Sequence, residues 1–454
     1  MRGFNNLLFV LFALSANGAD GTVGTVSVQK GNNVSVNGEV PLSLTLDGKD
    51  HRSCQFLSKR APDENHEFTW KEVTTTRGGE LAEILGDQLR SVDSLVVKGN
   101  VNDKDFHAMW DASLYGYLSV INLKNAVLEN NAVPDTAFFH ENEQYEGSSH
   151  EIFYYIGLRK IILPEGLEKI GEGAFYQASA LRQVNFPSTL RYIGDFAFNA
   201  TKLEMNQLVI PEGVEEINQY AFAFCRKLKA QVTLPSTIKK IGEWAFYGCP
   251  ITSINLPEGL ESLGSLAFWD CDLREVSIPS SCHEFNEGWQ FGFNRNLEKM
   301  HLPEGMTEIP DHFAVDCFRL REVNFPHTLK HIGEKAFSLC ISLKNVDLPL
   351  GMQSLGEEAF SELEALEQIV FPASMKSLGK NSCSYWKNIK RIYCAAMEPP
   401  VCDPTDGGVF SGFDFPDGFD TPVVYIPKGT INKYKDTSRN CMGWEKFWNY
   451  VEID

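Results

Sequence analysis

Several chemical motifs are absent from this chain of 454 residues. It has no C-x-x-C pair and no H-E-x-x-H segment, which are standard zinc-binding motifs. It also lacks a G-x-S-x-G segment, a glycine-rich phosphate-binding loop, and a G-x-G-x-x-G segment after a predicted strand. We therefore predict a protein that is not an enzyme and that uses neither a metal ion nor a cofactor.

Basic residues are scarce relative to acidic ones. The chain has 41 lysines and arginines against 60 aspartates and glutamates, which gives a formal net charge of −19. An acidic chain repels phosphate backbones and anionic lipid surfaces, so we exclude nucleic acid as a partner. After residue 18 no stretch is apolar enough for a transmembrane segment, and none is predicted.

Residues 1–18 have the pattern of a secretory signal peptide. Arg2 supplies the positive start, residues 7–14 form a short apolar core, and Ala16-Asn17-Gly18 is a small-x-small cleavage site. No cysteine follows this site, so the lipobox of a bacterial lipoprotein is missing. We predict a mature chain that is secreted or held at the cell surface.

One sequence pattern repeats from about residue 158 to residue 394. Its prolines are spaced by 22 to 24 residues and are Pro164, Pro187, Pro211, Pro235, Pro257, Pro279, Pro303, Pro326, Pro349 and Pro372. The turns that follow them alternate, through the first seven copies, between Pro-Glu-Gly and Pro-Ser with Thr or Ser. A period this regular is typical of a stacked repeat array.

Each copy has two legs. The first leg, L-x-x-V-x-[LF], alternates apolar and polar residues and predicts a short half-buried strand, which the proline ends because it has no N–H to donate. The second leg is [LVMI]-x-x-[IL]-G-x-x-A-F, in which we predict that the glycine permits a tight corner and the Ala-Phe pair fills the interior. One copy cannot bury its own apolar face, so the copies must stack.

The pattern L-P-x-G-[LVM]-x-x-I-G-x-x-A-F-x-x-C-x-x-L-x-x-V is similar to the BspA-like leucine-rich repeat family of Bacteroidales surface proteins. The resemblance implies a leucine-rich repeat solenoid, mainly β, with a parallel concave sheet and short helical or 3-10 turns. It also implies a mixed α/β N-terminal cap, a C-terminal cap, and roles in adhesion and recognition without shared chemistry.

We divide the chain into five parts. These are the signal peptide 1–18, a polar segment 19–77 with predicted strands at 23–29 and 33–46, an N-terminal capping module 78–130, the repeats 131–394, and a C-terminal cap 395–454. The polar segment is either a small β module or an extended lead-in.

Helices are predicted at 81–89, 105–113 and 431–449, and strands at 94–98, 118–123 and 423–426. An insert at about 139–157 interrupts the repeats, and in a second irregularity at 281–296 we predict that Trp289 fills the interior slot.

Cysteines recur at one position of the repeat, three residues after the buried phenylalanine position. The residues at this position are Cys225, Cys249, Cys271, Cys317 and Cys340, and earlier copies have Ala178 and Thr201 there. Small residues that recur once per layer indicate buried thiols rather than disulfides. In the less regular C-terminal part, one disulfide among Cys383, Cys394, Cys402 and Cys441 is kept as an alternative.

The residues on either side of the first-leg valine are predicted to point away from the core. They are mainly amides and hydroxyls, and the candidate ligand contacts among them are Gln183, Asn185, Gln207, Gln231, Thr233, Asn255, Glu275, Lys299, His301, Glu322 and Asn324. Tyr145, Tyr154 and Tyr155 of the insert are further candidates. Stacked amides either stabilise the ladder alone or form a face that binds a partner.

The absence of an aromatic stripe from these two columns favours a protein partner over a glycan. We predict an adhesion protein that binds an extracellular or host matrix protein through the concave repeat face. The alternatives are a glycan-capture protein for polysaccharide uptake and a structural surface component. Tyr145, Tyr154 and Tyr155 distinguish the first alternative, because an exposed tyrosine platform beside the sheet would favour a glycan.

Overall fold

The computed structural model describes residues 66–139, 156–402, 408–412, 422–436 and 443–454. It also gives the backbone of five strands outside these ranges: Gly24–Gln29, Asn33–Gly38, Leu44–Leu46, Gln55–Leu57 and Ile152–Tyr154. The first three form a small sheet, in which the first strand pairs antiparallel with the second and parallel with the third. They lie within the two stretches where the sequence predicts strands.

The first of two compact units comprises Met1–Leu190 and Phe196–Glu204. Its helices are Leu81–Leu85 and Asp103–Tyr115, and its 3-10 turns are Gly86–Arg90 and Glu129–Asn131. One parallel sheet contains, in spatial order, Trp70–Thr75, Ser94–Val101, Val120–Leu128, Lys160–Ile162 and Gln183–Val184. The second-leg strands Ala132–Val133 and Lys169–Ile170 also pair in parallel. The first two repeat strands therefore extend the sheet of the capping segment.

Asp105 holds the two helices of this unit together. Its carboxylate accepts hydrogen bonds from the backbone N–H groups of Gly79 at 2.6 Å, Leu81 at 2.9 Å and Asn102 at 3.0 Å. The Asn102 side chain caps the same helix by accepting from Lys104 N–H at 3.1 Å. A buried carboxylate is tolerated here because charge-assisted hydrogen bonds from backbone donors replace its water.

The second compact unit comprises Arg191–Asp195 and Met205–Asp454 and is built of parallel strands in two sets. The first-leg strands are Gln207–Val209, Gln231–Thr233, Ser253–Asn255, Glu275–Ser277, Lys299–His301, Glu322–Asn324, Gln368–Phe371, Arg391–Cys394, Val423–Pro427 and Tyr450–Ile453. The second-leg strands are Tyr192–Ile193, Glu216–Ile217, Lys240–Ile241, Ser262–Leu263, Glu284–Phe285, Glu308–Ile309, His331–Ile332, Ser354–Leu355, Ser377–Leu378 and Val401–Cys402. Strand pairing joins the same position of successive copies, as in Gln207 with Gln231 and then Ser253.

A column of phenylalanine rings fills the interior of the second unit. Phe222 and Phe246 stack with ring centroids 5.3 Å apart, Phe246 and Phe268 stack at 5.6 Å, and all three side chains are fully buried. The next ring in the column is Phe291, 5.5 Å from Phe268. The prediction that Trp289 fills this slot is wrong. An extra residue in this copy brings Phe291 into the interior and leaves Trp289 half-buried.

A third ladder of backbone hydrogen bonds runs along the corner that follows each second-leg strand. Trp244 N–H donates to the Ser265 carbonyl at 2.9 Å, and Phe246 N–H donates to the Ala267 carbonyl at 2.9 Å. In this ladder, every second N–H group of the corner donates to a carbonyl of the next copy. The residue before the alanine of G-x-x-A-F must then be left-handed, as Trp244 is with a φ of 58°. This conformation costs a non-glycine residue about 1–2 kcal/mol. The ladder and the buried phenylalanine offset that cost in each copy.

The glycine of the second leg has a different role from the predicted one. Gly264 is not left-handed, and the left-handed residue of its corner is Leu266, two positions later. A Cβ atom on Gly264 would lie 2.4 Å from the backbone nitrogen of Glu243 in the preceding copy. Backbone clashes of this kind recur at Gly171, Gly242, Gly333, Gly356 and Gly379. This glycine therefore allows neighbouring copies to approach closely, and the corner itself is made by the residues that follow it.

The alternating turn types form a reciprocal clamp between neighbouring copies. The Glu212 carboxylate accepts from Ser236 N–H at 3.1 Å and from the Ser236 hydroxyl at 3.0 Å. In return, the Thr237 hydroxyl accepts from Gly213 N–H at 2.9 Å. Equivalent carboxylate contacts join Glu165 with Ser188 and Glu258 with Ser280. The Pro-Glu-Gly turn supplies a carboxylate and a glycine N–H. The Pro-Ser turn supplies the serine N–H and hydroxyl that bond to the carboxylate and the threonine hydroxyl that accepts from the glycine, so the two turn types alternate.

The recurring cysteine position is a buried donor position, which confirms the predicted packing role. The thiols of Cys249, Cys271 and Cys317 donate to the carbonyls of Phe222, Phe246 and Phe291, at 2.9, 3.3 and 3.3 Å. Where the cysteine is replaced, Asn294 Nδ2 and Trp386 Nε1 donate at 2.7 Å to the carbonyls of Phe268 and Phe360. In these copies the residue at this position donates to a buried carbonyl of the preceding copy, whereas Ala178 and Leu363 fill the position without a side-chain donor.

We expect the nine cysteines that the structure describes, all of them buried, to resist thiol reagents in the native protein. Burial raises the pKa of the Cys317 thiol to about 12 and raises the pKa of Cys249, Cys271 and Cys340 well above its usual value. Since the thiolate is the reactive form, both access and ionisation oppose labelling. A variant with Cys54→Ser and Cys441→Ser should give no reaction with a disulfide reagent at pH 8 when native.

In guanidinium chloride the disulfide reagent should react with every cysteine of the same variant, which gives nine modified thiols. Rapid labelling of the native variant would contradict the buried ladder. Cys383, Cys394 and Cys402 are free thiols in the structure, so fewer than nine groups after unfolding would contradict it.

The C-terminal segment differs from its prediction. The strand Val423–Pro427 confirms the predicted strand at 423–426, but the described part of 431–449 has only the helix Ile431–Tyr434 and the 3-10 turn Trp444–Lys446. The final strand Tyr450–Ile453 was not predicted and pairs in parallel with Val423–Pro427. Trp444 and Phe447 are buried, as the predicted C-terminal cap requires, whereas Trp448 is 78% exposed.

Candidate ligand-binding face of the first-leg strands

The exposed side of the first-leg strands in the second unit, here called the strand face, is formed by the residues that flank each buried central residue. In the strands that begin at residues 207, 231, 253, 275 and 322, the central side chain is buried and both flanking side chains are exposed. The candidates on this face are Gln207, Gln231, Thr233, Asn255, Glu275, Lys299, His301, Glu322 and Asn324, of which His301 is half-buried. Gln183 and Asn185 are exposed on the first unit.

Two of the candidate amides already bond to the neighbouring backbone. Asn185 Oδ1 accepts from Leu163 N–H at 2.7 Å while its Nδ2 donates to the Leu163 carbonyl at 3.0 Å. Asn324 makes the same pair of bonds to Leu302, at 2.8 and 3.0 Å. Each amide thus extends the ladder where the strand itself ends, which is a structural role.

Four candidates form a charged cluster at the middle of the strand face. Lys299 Nζ lies 3.2 Å from Glu322 Oε2, and His301 Nε2 lies 3.3 Å from Glu275 Oε1. All four side chains are substantially exposed, so these pairs contribute little to stability. Together they place acidic and basic groups side by side on three neighbouring strands.

Four other candidates present polar groups to solvent. Gln207, Gln231, Thr233 and Asn255 are exposed on three consecutive strands, and their side chains make no hydrogen bond to another residue in the described ranges. Their amide and hydroxyl groups can therefore bond to a partner without breaking an internal contact.

The sequence analysis missed an apolar and aromatic stripe at the C-terminal end of the strand face. Strand register aligns Val370, Tyr393, Tyr425 and Val451 on four neighbouring strands. The rings of Tyr393 and Tyr425 stack with centroids 4.4 Å apart, and Val370 and Val451 are 48% and 40% exposed. The signal was present in the repeated pattern of Ile392-Tyr393 and Val424-Tyr425, but the second pair lies beyond the proline-spaced copies.

The three tyrosines of the insert are outside the residues whose side chains the structure describes. Tyr154 ends the backbone strand Ile152–Tyr154, which pairs with Gln55–Leu57. Tyr145 and Tyr155 stay predictions. In the described ranges no three His, Cys, Asp or Glu side chains come together as a metal site would require. No helix described by the structure has the length and apolar character to cross a bilayer.

The parallel two-legged copies and the exposed polar strand face define a leucine-rich repeat solenoid, as predicted. The family model described as "BspA type Leucine rich repeat region" matches six copies at residues 148–231, 230–337 and 312–397, which is more than half of the chain. The chain therefore belongs to the family of BspA-type leucine-rich repeat proteins. This membership indicates a role in protein interaction or adhesion. No curated protein matches the chain.

Solved structures of bacterial leucine-rich repeat proteins are similar to this chain. A leucine-rich repeat protein from Bacteroides ovatus is 20% identical with a TM-score of 0.50, and the match covers 82% of this chain and 93% of that one. A leucine rich cell surface protein from Faecalibacterium prausnitzii is 16% identical with a TM-score of 0.35, covering 84% and 96%. The pneumococcal vaccine antigen PcpA is 16% identical with a TM-score of 0.37, covering 95% and 99%. The first of these supports the fold.

Proposed function

We propose that this protein is exported and recognises an extracellular protein partner through its strand face, without catalysis. The observation that carries the proposal is the row Gln207, Gln231, Thr233 and Asn255, whose polar groups face solvent on consecutive strands. Repeat proteins use such extended faces to bind large partners over many weak contacts. Export rests on the signal-peptide pattern of residues 1–18, and family membership supports a location at the cell surface.

The strand face also has the parts that a protein interface needs. Tyrosines are enriched at the centres of protein interfaces, where they bury a large area at small entropic cost. Tyr393 and Tyr425 cover one face of each other by stacking, so neither ring offers both faces to a sugar. The charged cluster around Lys299 adds specificity and orientation.

A binding experiment tests the strand face directly. The predicted mature chain, residues 19–454, is passed over immobilised fibronectin, laminin, fibrinogen and collagen. We expect at least one of these to bind, and we expect Gln207→Ala with Asn255→Arg to weaken that binding about tenfold or more, because two polar contacts are lost and a large cation is introduced.

The matched control is Glu215→Ala, an exposed position outside the strand face. It should leave the affinity within about twofold. Equal affinity of the native chain and the double variant would contradict the proposal, provided that both have the same circular dichroism spectrum. Loss of binding with Tyr393→Ala but not with the double variant would move the contact to the C-terminal stripe.

A further inference from the structure

One histidine of the second unit lies at a junction between two copies. His312 occupies the left-handed corner position, with a φ of 56°, and its ring stacks on Trp289 of the preceding copy. The two ring centroids are 3.6 Å apart and the rings are inclined by 10°. Trp289 is also left-handed, with a φ of 66°, and the N–H group of each residue donates to a carbonyl of the following copy. The two rings therefore occupy equivalent positions, and their stack is part of the junction.

The two ring nitrogens of His312 have different surroundings. Nδ1 is buried and has no hydrogen-bond partner among the residues that the structure describes. Nε2 lies 3.7 Å from Glu334 Oε1, which is too long for a hydrogen bond, and the whole side chain is 14% exposed. In the neutral ring Nδ1 can stay without a proton, whereas the charged ring must place an N–H group there. Because a buried N–H group without an acceptor costs free energy, these surroundings favour the neutral ring.

The charged groups around the ring do not reverse this preference. Glu334 is the nearest carboxylate, but its Oε1 atom also lies 2.9 Å from Lys335 Nζ. The same lysine lies 3.8 Å from Glu358 Oε2, and Asp311 precedes His312 in the chain. Burial lowers the pKa of His312 below its usual value, while the three carboxylates act to raise it and the lysine acts to lower it. Since burial is the largest of these causes, the ring is neutral at pH 7.

The fold does not require a histidine at this corner position. Other copies have Leu266, Lys335 and Asn381 there, all of them left-handed. Tyr220 and Trp244 form the equivalent stack elsewhere in the same unit, with ring centroids 5.3 Å apart. Burial raises the pKa of Tyr220 above its usual value, so that stack does not titrate near neutral pH. The junction with the histidine has the same geometry but contains a ring that takes up a proton in mild acid.

We propose that the junction between the copies of Trp289 and His312 is a pH-sensitive switch. On acidification the His312 ring takes up a proton from solvent, its Nδ1–H group has no acceptor in the stack, and the ring moves out into water. The two copies then lose the stacking contact. Because each copy of a stacked array is stabilised by its neighbours, the second unit loosens at this junction. The switch does not depend on the function proposed for the strand face.

Linkage gives the direction of the pH effect. A histidine in the unfolded chain has a pKa of about 6.5, and the pKa of His312 in the folded chain is lower. As the pH falls, the unfolded chain therefore binds this proton first. The stability that comes from the neutral ring is fully present well above about pH 6.5, and it is lost as the pH falls from there towards the pKa of the folded protein.

The first test follows the tryptophan emission of the predicted mature chain, residues 19–454, between about pH 8 and pH 5. We expect a sigmoidal shift to longer wavelength with a midpoint below about pH 6.5, because Trp289 loses the ring that covers it. His312→Tyr should abolish the shift, since a tyrosine here reproduces the stack that Tyr220 makes with Trp244 and does not titrate in this range.

His327→Tyr is the matched control, because the side chain of His327 is 93% exposed. This variant should keep the emission shift of the native chain. In urea unfolding at about pH 7.5 and pH 5.5, the native chain and the control should lose more of their urea midpoint on acidification than His312→Tyr does. If circular dichroism shows that His312→Tyr is unfolded, His312→Leu replaces it, because Leu266 occupies the same position in another copy.

Three results would overturn the proposal. The first is an emission shift that is absent from the native chain or persists in the His312 variant. The second is an equal loss of urea midpoint on acidification in the native chain and that variant. The third is a midpoint of the emission shift above about pH 6.5, because the Glu334 carboxylate would then stabilise the charged ring instead of burial opposing it.

Discussion

Phe246→Ala is expected to lower the free energy of unfolding by about 3–5 kcal/mol. The Phe246 ring is fully buried and stacks on Phe222 at 5.3 Å and on Phe268 at 5.6 Å. Its removal leaves a cavity between two neighbouring copies, and in a stacked array each copy is stabilised by its neighbours on both sides. The loss therefore affects two interfaces at once, which places this substitution among the most damaging in the chain.

The measurement is guanidinium unfolding of the native chain and the variant, followed by circular dichroism. Val209→Ala is the control, because Val209 is also apolar but is 53% exposed on the strand face. It should change stability by about 0.5 kcal/mol or less. A loss below about 1.5 kcal/mol for Phe246→Ala would show that the column can collapse around the missing ring and would contradict its role as the rigid interior.

Gly264→Ala is expected to destabilise the protein by about 1–3 kcal/mol although it adds only one methyl group. The new Cβ atom would lie 2.4 Å from Glu243 N and 2.5 Å from the carbonyl carbon of Gly242, distances that real structures do not tolerate. Both clashing atoms belong to backbone in the preceding copy, so the copies must separate. Separation would lengthen the neighbouring ladder bonds, such as Gly264 N–H to the Ile241 carbonyl at 2.8 Å.

Gly351→Ala is the matched control for this second prediction. The nearest atom to a Cβ atom on Gly351 is 3.9 Å away, and the residue is not left-handed. The same substitution should there be neutral or stabilise the protein by about 0.4–1 kcal/mol, because alanine restricts the unfolded chain. Opposite signs for the two variants in one unfolding assay would support close approach as the role of the second-leg glycine. Equal effects would contradict it.

The candidate site was predictable only in part, and the residues show why. The outward direction of Gln207 and Asn255 follows from alternation along a strand, which sequence shows directly. The pairing of Asn185 with Leu163 depends on where the strand ends, which periodicity does not indicate. Tyr425 was missed because it lies beyond the proline-spaced copies, and its place in the column is set by pairing with Arg391–Cys394 rather than by spacing.

The left-handed corners were also predictable only in part. The pattern G-x-x-A-F indicates a turn, but nothing in it requires Trp244 or Lys335 to be left-handed. That conformation is imposed by hydrogen bonds to the next copy, such as Lys335 N–H to the Glu357 carbonyl at 2.8 Å. Trp289 was assigned to the interior, whereas the interior ring is Phe291, which stacks on Phe268, and Trp289 is half-buried against His312.

Sequence by itself determined the repeat period, the two legs of each copy, the buried cysteine position and the family, because each depends on residues that recur at fixed local spacing. Tertiary structure alone decided which surface groups come together. The Tyr393–Tyr425 stack, the Tyr220–Trp244 stack and the clamps between turns join residues from successive copies. Such contacts depend on the register between copies, and that register is set by hydrogen bonds and close backbone approach across the stack.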